Sequence, residues 1–245
     1  NQAGSSNNKR NFSLFGDPAL QMPLGTFQVQ LDSINPADTL KALDKVTVHG
    51  SVRNAGGNIA GDYSGLMHVK VFDKIRARET LNNDQNGSFA YQSRDNLLFR
   101  GKSEVRDGLF TSEWIVPRDI LPEVAPGKML FFGRDDEDLA QGYYNQYLVG
   151  GFSDNMLNDR QGPSIDLYMN NRDFVPGGIT DENPVLIATL TDSSGINTTR
   201  SSVGHDITMI LDNDQQREYT LNNYYQAQEG TYQRGELRYQ LSDLE

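Results

Sequence analysis

The chain has 245 residues and carries 22 Lys+Arg against 33 Asp+Glu, a net charge of −11 at neutral pH. It contains no cysteine, which excludes a disulfide framework, a thiolate metal site and a cysteine nucleophile within these residues. The acidic balance argues against nonspecific nucleic-acid binding, which needs clustered Lys and Arg. No run of about 18 apolar residues offers a membrane-spanning helix, and the first residues lack the charged and apolar regions of a signal peptide, so none is expected there.

The first ten residues, NQAGSSNNKR, are polar and read as a tail or loop. Residues 11–22 start apolar and break at a Gly-Asp-Pro turn, a strand too short to fold without a neighbour. Residues 38–43 offer the one turn of helix in the chain. From residue 45 onward the signal is strand after strand. Val46 and Val48 alternate with polar neighbours, and Asn54-Ala55-Gly56-Gly57 reads as a turn. Met67, Val69 and Val71 alternate with His68, Lys70 and Phe72. Asn86-Gly87 and Asp107-Gly108 are hairpin signals, because both turn residues tolerate positive φ. Phe110, Ser112, Trp114 and Val116 then share one face until Pro117 stops the strand. Two more strands are expected at 129–132 and 143–149.

Charge then shifts. Residues 1–158 hold a net of −3 and residues 159–245 a net of −8, with no lysine after Lys128. Gly150-Gly151 and Gly162-Pro163 frame a linker-like stretch, which places a boundary near residue 158. The second half continues in strands. Ile165, Leu167 and Met169 alternate; 185–190 is a continuous apolar run, as for a strand covered on both faces. Ile207, Met209 and Leu211 alternate before a turn at Asp212-Asn213-Asp214. Tyr219 with Leu221, and Leu237, Tyr239 and Leu241, complete the pattern. Short strands at regular spacing predict an all-β protein with two β-sandwich domains in tandem.

Motifs that carry chemistry are scarce. His49 and His68 fall at outward strand positions, His205 stands apart, and no paired-histidine spacing points to zinc. No serine sits in GxSxG; Gly61-Asp62-Tyr63-Ser64-Gly65 has the wrong spacing. Gly101-Lys102-Ser103 resembles the end of a phosphate-binding loop but lies in a strand, where no cradle of N–H groups forms. Asp135-Asp136-Glu137-Asp138 and Asp212-Asn213-Asp214 are oxygen-rich and open either to calcium or to a solvated loop, and neither has the glycine of a calcium loop. A pair of carboxylates for glycoside hydrolysis is not singled out by sequence, since their separation is spatial. Tyr143-Tyr144 with Tyr147, and Tyr224-Tyr225 with Tyr232, fit either a sugar-stacking platform or structural packing. These residues assign no catalytic, cofactor-binding or metal site, and no cofactor.

The segment NFSLFGDPALQ (11–21) resembles the last strand and exit turn of gingipain-type (clan CD, C25 family) cysteine peptidase domains. Residues 38–52, 96–117, 174–214 and 219–244 resemble the region downstream of that domain in the PorU-like sortases of the Bacteroidetes type IX secretion system. Together the resemblance spans about 11–244. It implies an exit strand of an upstream peptidase domain at 1–24, an Ig-like β-sandwich at 25–157, and a second β-sandwich at 159–245, left incomplete at its C-terminal end. It also implies non-catalytic accessory domains of a cell-surface cysteine peptidase/sortase that processes and anchors secreted cargo, on the extracellular face of the outer membrane. The peptidase chemistry, thiolate attack and an acyl-enzyme, would then belong to a Cys–His pair upstream of Asn11. The implied partners are that peptidase domain, outer-membrane secretion components and the C-terminal domains of cargo, with no nucleic acid. A carbohydrate-binding or adhesion module, or a purely structural spacer, is the alternative function.

Overall fold

The computed structural model describes residues 25–83, 85, 87–153, 161–198, 206–242 and 244. The exit strand at 11–22, Asn86, the boundary near residue 158 and His205 lie outside the described residues.

The chain is all-β. In the first half, β1 (Phe27–Asn35) pairs antiparallel with β3 (Lys45–Arg53), and β3 with β8 (Leu109–Ile115). A second antiparallel set runs β7 (Leu97–Arg106), β4 (Gly65–Phe72), β10 (Lys128–Arg134) and β11 (Leu139–Tyr144). Instead of remaining two stacked sheets, the seven strands close into a barrel. Both seams are narrow. At one, the β7–β8 hairpin pairs Val105 with Phe110 and Arg106 with Leu109. At the other, β1 runs parallel to β11 through Phe27–Ala140 and Gln28–Gln141. Closure is invisible in the hydrophobic pattern because alternation fixes which side chains face inward, not whether sheet edges meet. A bulge between Leu31 and Ser33 bends β1, so that its first residues bond on both edges.

The turn chemistry behaves as its residues dictate. Asp107 (φ 51°) and Gly108 (φ 74°) make the tight β7–β8 hairpin. Gly108 is irreplaceable for a second reason: a Cβ there would lie 2.4 Å from the Ala60 carbonyl oxygen. Inside the barrel, Val46, Val48, Met67, Val69, Val71, Phe110, Met129 and Phe131 are buried. Trp114 lies at its centre, fully buried and stacked on Phe99 at 5.2 Å and 11°. Each such side chain contributes roughly 1.5–3 kcal/mol relative to exposure.

One end of the barrel is covered by a small sheet of β2 (Thr39–Ala42), β12 (Leu148–Phe152) and β9 (Ala125–Pro126). The stretch 38–43 thus holds a strand, Thr39–Ala42, and not a helical turn, because β2 finds a parallel partner in β12. Gly150 and Gly151, expected in a linker, sit inside β12 where its register with β2 shifts. A separate hairpin, β5 (Arg76–Glu79) with β6 (Ala90–Ser93), projects between β4 and β7.

The second half forms a four-stranded antiparallel sheet in the order β13 (Ser164–Met169), β14 (Val185–Thr191), β18 (Arg234–Gln240), β17 (Tyr225–Ala227). A hairpin of β15 (Thr208–Ile210) and β16 (Glu218–Thr220) accompanies it. β14 is buried on both faces, as its apolar run requires. β13 is an edge strand, and Ile165 and Leu167 on it stay exposed. The two halves touch along β7 and at the Pro117–Ile120 turn. Arg100 donates to the Asn223 carbonyl (2.7 Å), Gly230 N–H to the Lys102 carbonyl (3.0 Å), and Asn197 to the Asp119 carboxylate (2.7 Å).

Candidate functional site

The residues singled out by sequence are spread over the surface, and most have structural duties. His49 is exposed and shares a 2.9 Å hydrogen bond with Thr111 across β3 and β8. The Asp135 carboxylate accepts the N–H groups of Glu137 (2.9 Å) and Asp138 (2.6 Å), and Asp138 accepts from Thr26 (3.0 Å). The β10–β11 loop is therefore held by its own acids. Asp212 pairs with Arg217 (3.0 Å), and Asp214 caps a single 3-10 turn by accepting from Gln216 N–H (2.9 Å). Among the described residues no group of three or more His, Asp or Glu is placed to hold a metal ion. Gly101-Lys102-Ser103 lies within β7.

The tyrosines divide. Tyr147 is buried, stacks on Tyr144 at 6.1 Å, and donates its hydroxyl to the Phe72 carbonyl (3.2 Å); burial pushes its phenol up. Tyr225 is buried beneath Gly235, and burial raises its phenol too. Tyr232 packs against the core from outside. Tyr224 meets Tyr239 edge-on at 4.9 Å, and only Tyr143 stands largely free, with the Lys128 ammonium 5.3 Å from its ring centre. The two clusters thus do not present one continuous aromatic platform.

Two features escaped the sequence reading. The first is a buried ionic knot where β4 ends. The Asp73 carboxylate accepts from Lys74 N–H (2.8 Å), Lys74 Nζ (3.1 Å), Asn96 Nδ2 (3.0 Å) and Arg76 (3.4 Å). Lys74 Nζ also donates to the carbonyls of Leu121 (3.0 Å) and Val149 (3.5 Å). Arg94 clamps the carbonyls of Asp73 (3.0 Å) and Pro126 (3.1 Å). The knot ties the barrel to β9, β12 and the loop before them. Its sequence signal, Asp73-Lys74 directly after an apolar strand, is indistinguishable from a solvated turn.

The second is a basic face on an acidic protein. Register places His68 opposite Lys102 and Lys70 opposite Arg100 on the outer side of β4 and β7. On the other flank Phe132 lies opposite His68 and Leu130 opposite Lys70, and both apolar side chains are exposed. Burial depresses the His68 imidazole, and Lys102, Lys70 and Arg100 lower it further. Lys70 is pushed down by burial and then by Arg100. Lys102 also lines a cleft of about 480 Å³ between the halves, where Arg172, Arg234 and Arg238 converge. There Glu236 receives Arg172 (2.5 Å) and Arg238 (2.6 Å); burial opposes its charge, but the two guanidinium hydrogen bonds prevail and hold its carboxyl below the ordinary value.

Comparison with known proteins now has a geometry to meet. The chain aligns with the crystal structure of dimeric latent PorU from Porphyromonas gingivalis at 29% identity and a TM-score of 0.56, over 94% of this chain and 22% of that one. The chain is PorU-like over nearly all its length. It spans about a fifth of that PorU. Two weaker likenesses carry no argument. One is to Spo0M, a sporulation control protein from Bacillus subtilis (12% identity, 70% of this chain and 69% of that one, TM-score 0.33). The other is to a protein of unknown function from P. gingivalis W83 (14%, 89% and 84%, TM-score 0.23). No protein-family model matches the chain, and no curated protein does.

Proposed function

We propose that this chain forms the non-catalytic accessory β-domains of a PorU-like cell-surface cysteine peptidase/sortase, downstream of the peptidase domain. The observation that carries the reading is the 29% identity to PorU maintained over 94% of the chain. In this reading residues 1–24 leave the peptidase domain, 25–157 buttress it, and 159–245 extend away from it. In this reading the first module is an immunoglobulin-like sandwich drawn closed into the observed barrel; the narrowness of the two seams, two residue pairs each, supports it. The partners are the peptidase domain, outer-membrane components of type IX secretion and the C-terminal domains of cargo, on the extracellular face of the cell.

The reactive thiolate belongs to the peptidase domain in this scheme, and the 245 residues supply rigid support. The test is direct. The isolated chain is incubated with a peptide spanning a cargo processing site, and the parent protein is assayed with and without this segment. The reading expects no turnover by the isolated chain and impaired cargo maturation by the shortened parent. Cleavage or transpeptidation by the chain itself, or full maturation by the shortened parent, refutes it.

A further inference from the structure

The distribution of charge within this acidic chain is lopsided, and the lopsidedness has a location. Residues 159–245 hold 6 bases against 14 acids. Three of those bases, Arg172, Arg234 and Arg238, line a cleft that Lys102 of the barrel also lines. Beyond Lys102 the cations continue onto the outer side of β4 and β7 as Lys70 and Arg100, with His68 opposite Lys102. Like charges placed directly opposite on adjacent strands are destabilising. Here Lys70–Arg100 is a pair of that kind, and the neutral His68 sits opposite Lys102.

The cost is not relieved within the fold. Arg172 and Arg238 share Glu236, and Arg100 is occupied by the Asn223 carbonyl. Lys70, Lys102 and Arg234 form no ion pair with any described residue, although surface carboxylates outnumber cations overall. Three other cations are neutralised: Lys45 by Glu113 (3.0 Å) and Arg53 by Asp32 (3.0 Å) on the barrel, and Arg78 by Asp95 (2.9 Å) on the β5–β6 hairpin. Glu229 and Glu236 also line the cleft, but Glu236 serves Arg172 and Arg238, and no carboxylate among the described residues pairs with Lys70 or Lys102.

We infer that the outer face of β4, β7 and β10, continuing into the cleft between the two halves, is a docking surface for an acidic polypeptide segment. The columns of side chains specify the partner. β7 presents Arg100 and Lys102 at alternate positions, β4 presents Lys70 beside His68, and the neighbouring strand β10 presents exposed Leu130 and Phe132 in the same rows. A polypeptide carrying Asp or Glu beside apolar side chains matches both columns at once. An anionic polysaccharide matches the cations and could stack on Phe132, but has no counterpart for Leu130. Cations of this kind steer encounter and fix register, while the leucine and phenylalanine supply burial. The face is read from register and charge alone and does not depend on the proposed accessory role.

The experiment uses the full 245-residue chain and fluorescence anisotropy. The probe is a fluorescein-labelled peptide of alternating glutamate and leucine. Its glutamine–leucine counterpart and dextran sulfate are measured alongside. The expected result is saturable binding of the glutamate peptide that weakens as the Debye length is shortened from about 30 to about 8 Å with salt. The double variant Lys70→Gln/Lys102→Gln is expected to weaken it by about tenfold, and Lys41→Gln on β2 to leave it unchanged. Circular dichroism and melting establish that each variant is folded. Equal binding of the glutamine peptide, or an unchanged affinity in the folded double variant, overturns the proposal. Binding of dextran sulfate with none of the glutamate peptide overturns it as well, in favour of an anionic glycan.

Discussion

Replacing Asp73 with alanine should unfasten the barrel from its end sheet. Asp73 is fully buried, and its carboxylate accepts from four donors, two of them on Lys74, one on Asn96 and one on Arg76. Removing it leaves the Lys74 ammonium, 5% exposed, with only the Leu121 and Val149 carbonyls. Breaking a buried pair from one side costs about 3–5 kcal/mol, because the partner charge stays buried without compensation. For a chain of this size each kcal/mol shifts the melting temperature by about 2–4 °C, so Asp73→Ala should melt about 6–20 °C lower. Lys74→Met should cost less, about 1–3 kcal/mol, because three of the four donors to Asp73 remain. The double variant Asp73→Ala/Lys74→Met removes both charges and should cost less than the sum of the singles by about 1–3 kcal/mol. Urea titration followed by the fluorescence of the sole tryptophan, Trp114, measures all three. A loss under about 1 kcal/mol for Asp73→Ala, or additive singles, would show that the knot is neither desolvated nor coupled.

Other consequences of the packing can be checked in the same way. Trp114→Ala should cost about 3–5 kcal/mol in thermal unfolding. Trp114→Phe should cost distinctly less: it keeps a ring against Phe99 and removes an indole N–H that is buried without an acceptor, a group whose burial costs about 1–3 kcal/mol. Gly142→Ala on β11 would set a Cβ 2.2 Å from the Val29 carbonyl oxygen of β1. It should loosen the β1–β11 seam by about 1–3 kcal/mol and speed amide exchange at Phe27 and Gln28; unchanged exchange there refutes closure by that seam. The pH response has two limbs. The His68 pKa is lowered in the fold from 6.5, so protons favour the unfolded chain; its contribution is present above 6.5 and is lost as pH falls through the lower folded value. Tyr63 is raised by burial, with Asp135 and Asp138 adding to it, from 10.0 to about 12, so its contribution is present below pH 10 and is lost as pH rises toward 12. Urea midpoints against pH should flatten on the acid side in His68→Gln and on the alkaline side in Tyr63→Phe.

What could be read from the sequence follows from how locally each feature is encoded. The alternation in β3, β4, β8 and β18 and the apolar run of β14 sit in contiguous residues, and so were legible. So was the β7–β8 hairpin, whose turn needs only Asp107 and Gly108. Leu40 and Leu43 mimic a helical period, yet β2 is a strand because its partner, β12, lies more than a hundred residues away. Gly150-Gly151 has linker composition, but a register shift in β12 uses the same property, freedom from a Cβ. β13 alternates as a half-buried strand should, but nothing covers Ile165 and Leu167 among the described residues. The Asp73 knot and the basic face were hidden for one reason. Their members are neighbours only through register: Asn96 and Arg94 return to Asp73, and Arg100 and Lys102 return to Lys70 and His68, across a hairpin of some twenty intervening residues.

The two clusters are chemically alike and energetically opposite, and the contrast separates support from recognition. At Asp73, charge is taken out of water and every formal donor and acceptor on the Asp73 and Lys74 head groups is matched within 3.5 Å. Such an arrangement fixes three chain segments at once and leaves nothing over to bind a partner. On the β4–β7 face, Lys70 is set opposite Arg100 at half exposure, and neither Lys70 nor Lys102 has an ion pair among the described residues. A fold selected only for stability would exchange Lys70 or Lys102 for a neutral residue or oppose it with one of its 33 acids. Surface ion pairs are each worth little, about 0–1 kcal/mol, so retaining the mismatch costs the fold little. The same cations become worth more once a partner excludes water from them, because the local dielectric falls. A rigid barrel locked by one cluster therefore holds the other in register, which is the geometry an accessory domain needs if it is to position a partner without reacting with it.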